Sequence, residues 1–496
     1  MFITIDDHTM EGITIFYCLI LSLPLIFMLS HHGRKKGAMK LPPGPPTLLF
    51  VAKFLVLGRS VFQIGPILRG LHARHGPIIS IWLVRTFVFV ADRRLAHSIL
   101  IKSNGNFDDR PPSTEMMHLF FPHTISTSPY GAYWRLVRRN LHAQALHPSR
   151  LRLFAPARQR ACDAILGSLR DDASRVIAVR PLLGRCLFEV LVCMSLGARL
   201  GQEVLDELQE MHQQIFHAIT SFPVFSIFPA LTKRLLRKRW ATHVALNERR
   251  NEVLLPLIRA PRGGENPSCY ADSLLELRVA EEGSRPLTDA EMVTLCSEFM
   301  TAAVDTTMSL IEWIMAELVN HPDVQAKVYQ EVREKPELNE DDLCGMPYLK
   351  AVVLEGTRLH PGAHLIIPHG VKNDAEIGGY MVPKGSEVNF LVADFGLDET
   401  VWTAAREFRP ERFLDGDDLD ITGSREIKMA PFGAGRRMCP GYTLAIMHAE
   451  YFVGSLVREF EWLPPSPAEA TVDMTEDLAS IIAMKHPLRA RIIPRA

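Results

Sequence analysis

Phe432-Gly433-Ala434-Gly435-Arg436-Arg437-Met438-Cys439-Pro440-Gly441 is the stretch that decides the fold. A cysteine closes a glycine-rich loop, and an apolar helical run, Leu444 to Leu456, follows it. A thiolate placed there meets free backbone N–H groups and the positive end of a helix, both of which favour negative charge. Gly433 and Gly435 allow tight turns and the close approach of a flat ligand. A buried, inert loop cysteine is the plainer alternative. A dinucleotide fingerprint is excluded, because the third glycine position of G-x-G-x-x-G is Met438.

The rest of the chain narrows the class. Its 496 residues are 47% hydrophobic and 22% charged, with 55 basic against 56 acidic side chains and a net charge of −1. That balance excludes a globally basic nucleic-acid binder and an acidic disordered chain, so no nucleic acid is expected as a partner. The length suggests about three units of ~150 residues as a soft prior. It is ample for a large core without disulfides or structural metal. The eight cysteines include no C-x-x-C pair, which argues against a zinc ribbon or a thioredoxin-like site and fits a reducing compartment.

Residues Gly12 to Ser30 are 19 consecutive uncharged, mostly apolar positions. As a helix they reach ~28 Å, close to the ~30 Å hydrocarbon core of a bilayer. A signal peptide would carry positive charge ahead of the apolar run. Here Asp6, Asp7 and Glu11 precede it, and Arg34, Lys35 and Lys36 follow it. The reading is therefore a lumenal segment 1–11, a transmembrane anchor 12–30, a basic and proline-rich hinge 34–46 and a cytosolic body 47–496. The hinge contains Leu41-Pro42-Pro43-Gly44-Pro45-Pro46, whose prolines favour a stiff extended spacer.

Within the body, Ile78–Trp82 and Thr86–Ala91 read as a β-hairpin. Thr288-Asp289-Ala290-Glu291 is a capping box that opens an apolar helix able to run to Asn320. Asp305, Thr306 and Thr307 interrupt that helix with polar side chains. One explanation is local, with threonine hydroxyls bonding back to the preceding turn. Trp134 and Arg138, four apart, share one helix face. Strand-like pieces return near Val388–Val392 and in the last twenty residues. The expected fold is mainly α with small β-sheets. The apolar segment Phe222–Leu231, followed by Lys233, Arg234, Arg237, Lys238 and Arg239, reads as a solvated face, a nuclear-localisation mimic or a second contact with membrane lipid. The last is preferred, given the anchor.

The cysteine loop resembles that of the cytochrome P450 family, F-x-x-G-x-R-x-C-x-G, with Phe432, Gly435, Arg437, Cys439 and Gly441 at the fixed positions. Glu355-Gly356-Thr357-Arg358, whose arginine stands 81 residues before the cysteine, is similar to the family's E-x-x-R. Pro410-Glu411-Arg412-Phe413 is similar to its next motif, and Trp134/Arg138 to its W-x-x-x-R. Ala302-Ala303-Val304-Asp305-Thr306-Thr307 resembles A/G-G-x-D/E-T-T, with Ala303 in place of glycine. The resemblance runs from the proline hinge to the carboxyl terminus, in the style of plant microsomal members.

It implies a P450-like haem domain behind one N-terminal transmembrane helix. Cys439 would be the metal ligand of haem b (heme, iron protoporphyrin IX), its thiolate favouring O–O cleavage. Phe432 would lie against the same cofactor. Arg437, Trp134, Arg138 and His369 would hold the haem propionates. Glu355, Arg358 and Arg412 would form a buried charge triad. Thr306 and Asp305 would be the catalytic pair facing bound oxygen. The implied function is a monooxygenase in the endoplasmic-reticulum membrane, facing the cytosol. It would insert one atom of O2 into a small apolar substrate, with electrons from NADPH–cytochrome P450 reductase. Pocket walls would include parts of 112–130, 299–304, 361–367 and 480–484. A haem-thiolate isomerase or dehydratase, or a non-catalytic haem-binding protein, are the alternatives. Two departures, at Phe395–Glu399 (no Arg-Asp-Pro) and at Ala405 (for a common proline), lie near the expected triad.

Overall fold

A computed structural model describes residues 40–495 apart from 48–49, 51–63, 84, 104, 172–175, 198–199, 222, 227, 262–267, 336, 415–419 and 479–480. The anchor expected at 12–30 lies outside the described residues. Among the described residues no helix is long and apolar enough to cross a membrane.

The helices that frame the site are α1 (Ala132–Leu141), α2 (Val179–Leu196), α3 (Gln202–Thr220), α4 (Arg237–Arg259), α5 (Asp289–Asn320), α6 (Pro322–Val332), α7 (Pro347–Leu359) and α8 (Tyr442–Glu459). Helix α5 starts and stops where the sequence places it. Thr288 Oγ1 accepts from the N–H of Glu291, and the Glu291 carboxylate accepts from the N–H of Thr288 at 2.7 Å. Its carboxyl-terminal half is buried on every side, with Trp313, Ile314, Met315 and Ala316 all fully enclosed. A helix apolar all round is the axis of a core, and α2, α7 and α8 pack against it.

The strands include β1 (Ile78–Trp82), β2 (Thr86–Val90), β3 (Val176–Ala178), β4 (His369–Gly370), β5 (Glu387–Phe390), β6 (Phe460–Leu463), β7 (Glu476–Leu478), β8 (Ile482–Met484) and β9 (Arg489–Pro494). The expected hairpin pairs Ile78 with Val90 and Trp82 with Thr86. It extends into a four-stranded sheet in the order β1-β2-β5-β4, where β2 and β5 run parallel with Val88 opposite Val388. Strands β6, β9 and β3 form a second, antiparallel sheet, and β7 pairs with β8. The fold is mostly helical with small sheets at its margins, as expected.

Two segments behave differently from their sequence reading. The proline run is docked on the body along β1. Pro43 O accepts from the N–H of Ser80 at 2.8 Å, and Pro42 O from the Ser80 hydroxyl at 2.6 Å. A Cβ on Gly44 would stand 1.8 Å from Ser80 O, so only glycine fits there. The segment after Phe222 is apolar in two directions. Val224 and Phe225 are buried with Phe120 and Phe121, while Phe228, Leu231 and Leu235 are exposed beside Arg234, Arg237 and Lys238.

Candidate active site

The loop ahead of α8 folds on its own backbone. Cys439 N–H donates to Phe432 O at 2.9 Å, and Met438 N–H to Gly435 O at 3.1 Å. Gly435 holds φ +73°, and a Cβ there would come within 2.3 Å of Leu100 O. The loop presents the Cys439 sulfur to a cavity of about 350 Å³, on whose wall it is open although protein surrounds the void. Burial pushes the Cys439 thiol up, against the N–H of Gly441 and the nearby charge of Arg138, which pull it down. A cation bound at the sulfur removes that penalty, since the charged form is then the paired one.

The same cavity is lined by Phe432, Arg437, Arg138, His369 and Thr306 among the expected residues, and by Ile125, Leu295, Phe299, Ala302, Ala303, Leu365 and Ile366 as apolar wall. Parts of the four expected wall segments therefore meet there, Ile481 standing for the last. Thr306 Oγ1 donates to Ala302 O at 2.7 Å, the local bond anticipated for a helical threonine. Its oxygen still opens to the cavity. Asp305 is not on the wall. Its Oδ2 lies 2.8 Å from His212 Nε2 on α3. Of the two residues expected to face oxygen, only Thr306 lines the cavity.

Trp134 is also placed differently. Its indole N–H donates to Ile125 O at 3.0 Å, and it is absent from the cavity wall. It serves as a platform: the Arg437 guanidinium lies 4.4 Å and that of Arg138 5.4 Å from the ring centre. Arg437 donates to Asp108 O at 2.8 Å, Ser128 O at 2.8 Å and Ile125 O at 3.2 Å. Arg138 donates to Met438 O at 2.5 Å. His369 is buried on the wall, with Nδ1 donating to Phe107 O at 2.6 Å. Burial first, then the charge of Arg110, pushes its pKa down to about 3. A neutral ring that has spent its hydrogen at Nδ1 has only an acceptor left at Nε2. A carboxylate placed beside it would favour the protonated ring, which donates from Nε2 as well.

Arg110, which no sequence motif marks, brings a further guanidinium to the same wall. It lines the cavity and is braced by Ser126 O at 2.9 Å, Ile367 O at 2.9 Å and Pro368 O at 2.8 Å. Burial, then the charges of Arg437 and Arg138, brings its pKa down to about 9. Burial likewise takes Arg437 to about 10. Three guanidiniums at one end of an apolar cavity repel one another until anions join them. The carboxylate Glu298, also on the wall, is engaged by the N–H groups of Ile125 (3.0 Å) and Ser126 (2.8 Å). Two propionate groups would complete the balance, and the thiol opposite Thr306 would meet the iron. The residues present fit haem b.

Behind the loop, Glu355 and Arg358 are fully buried and paired twice at 2.7 Å. Arg412 Nε reaches Glu355 at 3.1 Å, so the triad assembles. A family model for cytochrome P450 matches residues 42–490. The chain belongs to the cytochrome P450 family.

Relatives agree along its whole length. Cytochrome P450 89A9 of Arabidopsis thaliana is 38% identical, covering 98% of this chain and all of that protein. Geraniol 8-hydroxylase of Catharanthus roseus is 29% identical over 97% of this chain and 99% of its own. A zebrafish cytochrome P450 solved with abiraterone superposes with a TM-score of 0.72 at 22% identity, over 87% of this P450 and all of that one. This P450 is accordingly a haem-dependent monooxygenase, an oxidoreductase.

Proposed function

We propose that this P450 inserts one atom of O2 into a small, mostly apolar molecule, with electrons from NADPH passed on by a NADPH–cytochrome P450 reductase. The substrate is a plant metabolite, a reading supported by relatives that bear the names of plant hydroxylases. The observation that carries the reading is that Cys439 and Thr306, on separate elements, open onto one apolar cavity.

Haem b, held by the Cys439 thiolate, supplies the oxygen-activating iron. Arg110, Arg138 and Arg437 hold its two carboxylates and thereby orient it. Phe432 lies against it. Phe299, Ala302, Ala303, Leu365 and Ile366 exclude water and seat an apolar substrate. Thr306 is a hydrogen-bonding group on the α5 side of the cavity. Its hydroxyl passes a proton inward as it accepts another from the Asp305 side, where the carboxylate is open to water. Arg135 and Arg139, exposed four residues apart on α1 and neighbours of Arg436, form a basic face suited to an acidic redox partner. The apolar run 12–30 and the exposed trio Phe228, Leu231 and Leu235 support placement on the endoplasmic-reticulum membrane with the body in the cytosol.

The test is a plant metabolite extract incubated with the full chain, reductase and NADPH under isotopically heavy O2. A product carrying one heavy oxygen, absent without NADPH or without reductase, is the expected result. Products formed from hydroperoxides with neither present would favour the isomerase reading instead.

A further inference from the structure

Four neighbours of Asp305 along α5, Ala302, Ala303, Thr306 and Thr307, line the cavity, and Asp305 does not. Its carboxylate is held instead by His212 Nε2 at 2.8 Å. An ionised carboxylate only accepts, so Nε2 carries the hydrogen. The imidazole is buried, 5.6 Å from the Phe188 ring on α2 and 6.3 Å from Phe216 on its own helix. Its Nδ1 is buried without a partner. A buried polar atom left unpaired is unfavourable, and a phenylalanine or leucine would fill the same apolar niche without it. The one hydrogen bond that justifies a histidine there is the bond to Asp305. Helix α3 otherwise rests chiefly on α4 and on the short helix Glu115–Phe120. The bond is thus a tie between α3 and α5, which pack mainly on other partners.

We propose that His212 is a positioning residue that tethers the Asp305 carboxylate outside the haem cavity and so controls proton delivery to Thr306. This rests on the reading of Asp305 as the acid that feeds Thr306. With the tether in place the carboxylate keeps its 23% exposure to water. It takes up a proton on that side and gives one up toward Thr306, while the cavity itself stays apolar. Without the tether the carboxylate turns inward and brings water with it. One O2 then leaves with two NADPH electrons and two protons as hydrogen peroxide.

The experiment compares full-chain holoproteins carrying His212→Phe, His212→Gln, Asp305→Asn and His212→Phe with Asp305→Asn. Two quantities are read: the fraction of NADPH electrons released as peroxide with reductase present, which needs no substrate, and the thermal unfolding midpoint. His212→Phe should raise the peroxide fraction several-fold. His212→Gln, whose amide N–H can reach the same carboxylate, should restore most of the loss. His212→Phe should add nothing on the Asp305→Asn background, and the midpoints should be non-additive in the cycle. A His212→Phe protein with wild-type peroxide release, beside an impaired Asp305→Asn, overturns the tether alone. Equal effects of His212→Phe on both Asp305 backgrounds reduce it to packing and also overturn it. Wild-type release from Asp305→Asn removes the relay reading itself, and the tether with it.

Discussion

Three guanidiniums crowd one end of the cavity, and their repulsion indicates which ligand belongs there. Burial lowers Arg110, Arg437 and Arg138 alike, and at Arg110 the charges of Arg437 and Arg138 add to it. Two carboxylates beside them would favour the charged form of each. A charge-assisted hydrogen bond is worth ~1.5–3 kcal/mol. Arg110→Ala should therefore speed haem transfer to apomyoglobin by about tenfold or more, the rate being followed by the visible spectrum. Arg110→Lys keeps the charge but loses the fork that grips three carbonyls, and should fall between. An unchanged transfer rate in Arg110→Ala would remove Arg110 from the propionate site. His369 stands on the same wall as Arg110 and Arg437. Its hydrogen bond ties β4 to Phe107 O and closes the wall.

At the scale of elements, the triad shows how much of this fold was legible. Glu355 and Arg358 are three apart on one helix, so their pairing is local and readable. The long helix was readable to the residue, because a capping box and a His321-Pro322 stop bracket an unbroken apolar run. The two departures near the triad leave the bonds of Arg358 in place, for a reason that side-chain motifs hide. Arg358 Nη1 donates to the backbone carbonyls of Gly396 (2.5 Å) and Ala405 (2.6 Å), which any residue could supply. Gly396 matters for space instead, since a Cβ there would meet Arg358 O at 2.4 Å. What the sequence could not show was set by distant partners. Arg110 is aimed by carbonyls at 126, 367 and 368, and Asp305 by a histidine on another helix. Neither leaves a local pattern. Removing one partner of a buried ion pair costs ~3–5 kcal/mol, out of the ~5–15 kcal/mol that holds a domain together. Arg358→Ala should accordingly yield little holoprotein on expression, measured as haem per polypeptide. Full haem content with slowed turnover alone would contradict that assignment.

At the scale of the whole molecule, the docked proline segment means that the body begins at the hinge. The segment Lys40–Pro43 is bonded to the body, with Lys40 O accepting from the N–H of Met381 at 3.1 Å and Pro43 O from that of Ser80. A truncation starting at Lys36 keeps those contacts. It should fold with haem and lose integral-membrane behaviour in carbonate extraction. Flotation with anionic vesicles should retain a salt-sensitive fraction through Phe228, Leu231, Leu235 and the bases beside them. Carbonate-resistant binding equal to that of the full chain would place the anchor elsewhere. The central claim, however, rests on a single sulfur. The chain has eight cysteines. Among those described, Cys439 alone lines the cavity. Cys162, by contrast, is buried and pushed up to about 11. The direct measurement is the absorption spectrum of the reduced carbon-monoxide complex in wild type and Cys439→Ser. Wild type should show the red-shifted band of a thiolate-ligated iron, and Cys439→Ser should lose it. A Cys439→Ser protein that retains the band would contradict the account.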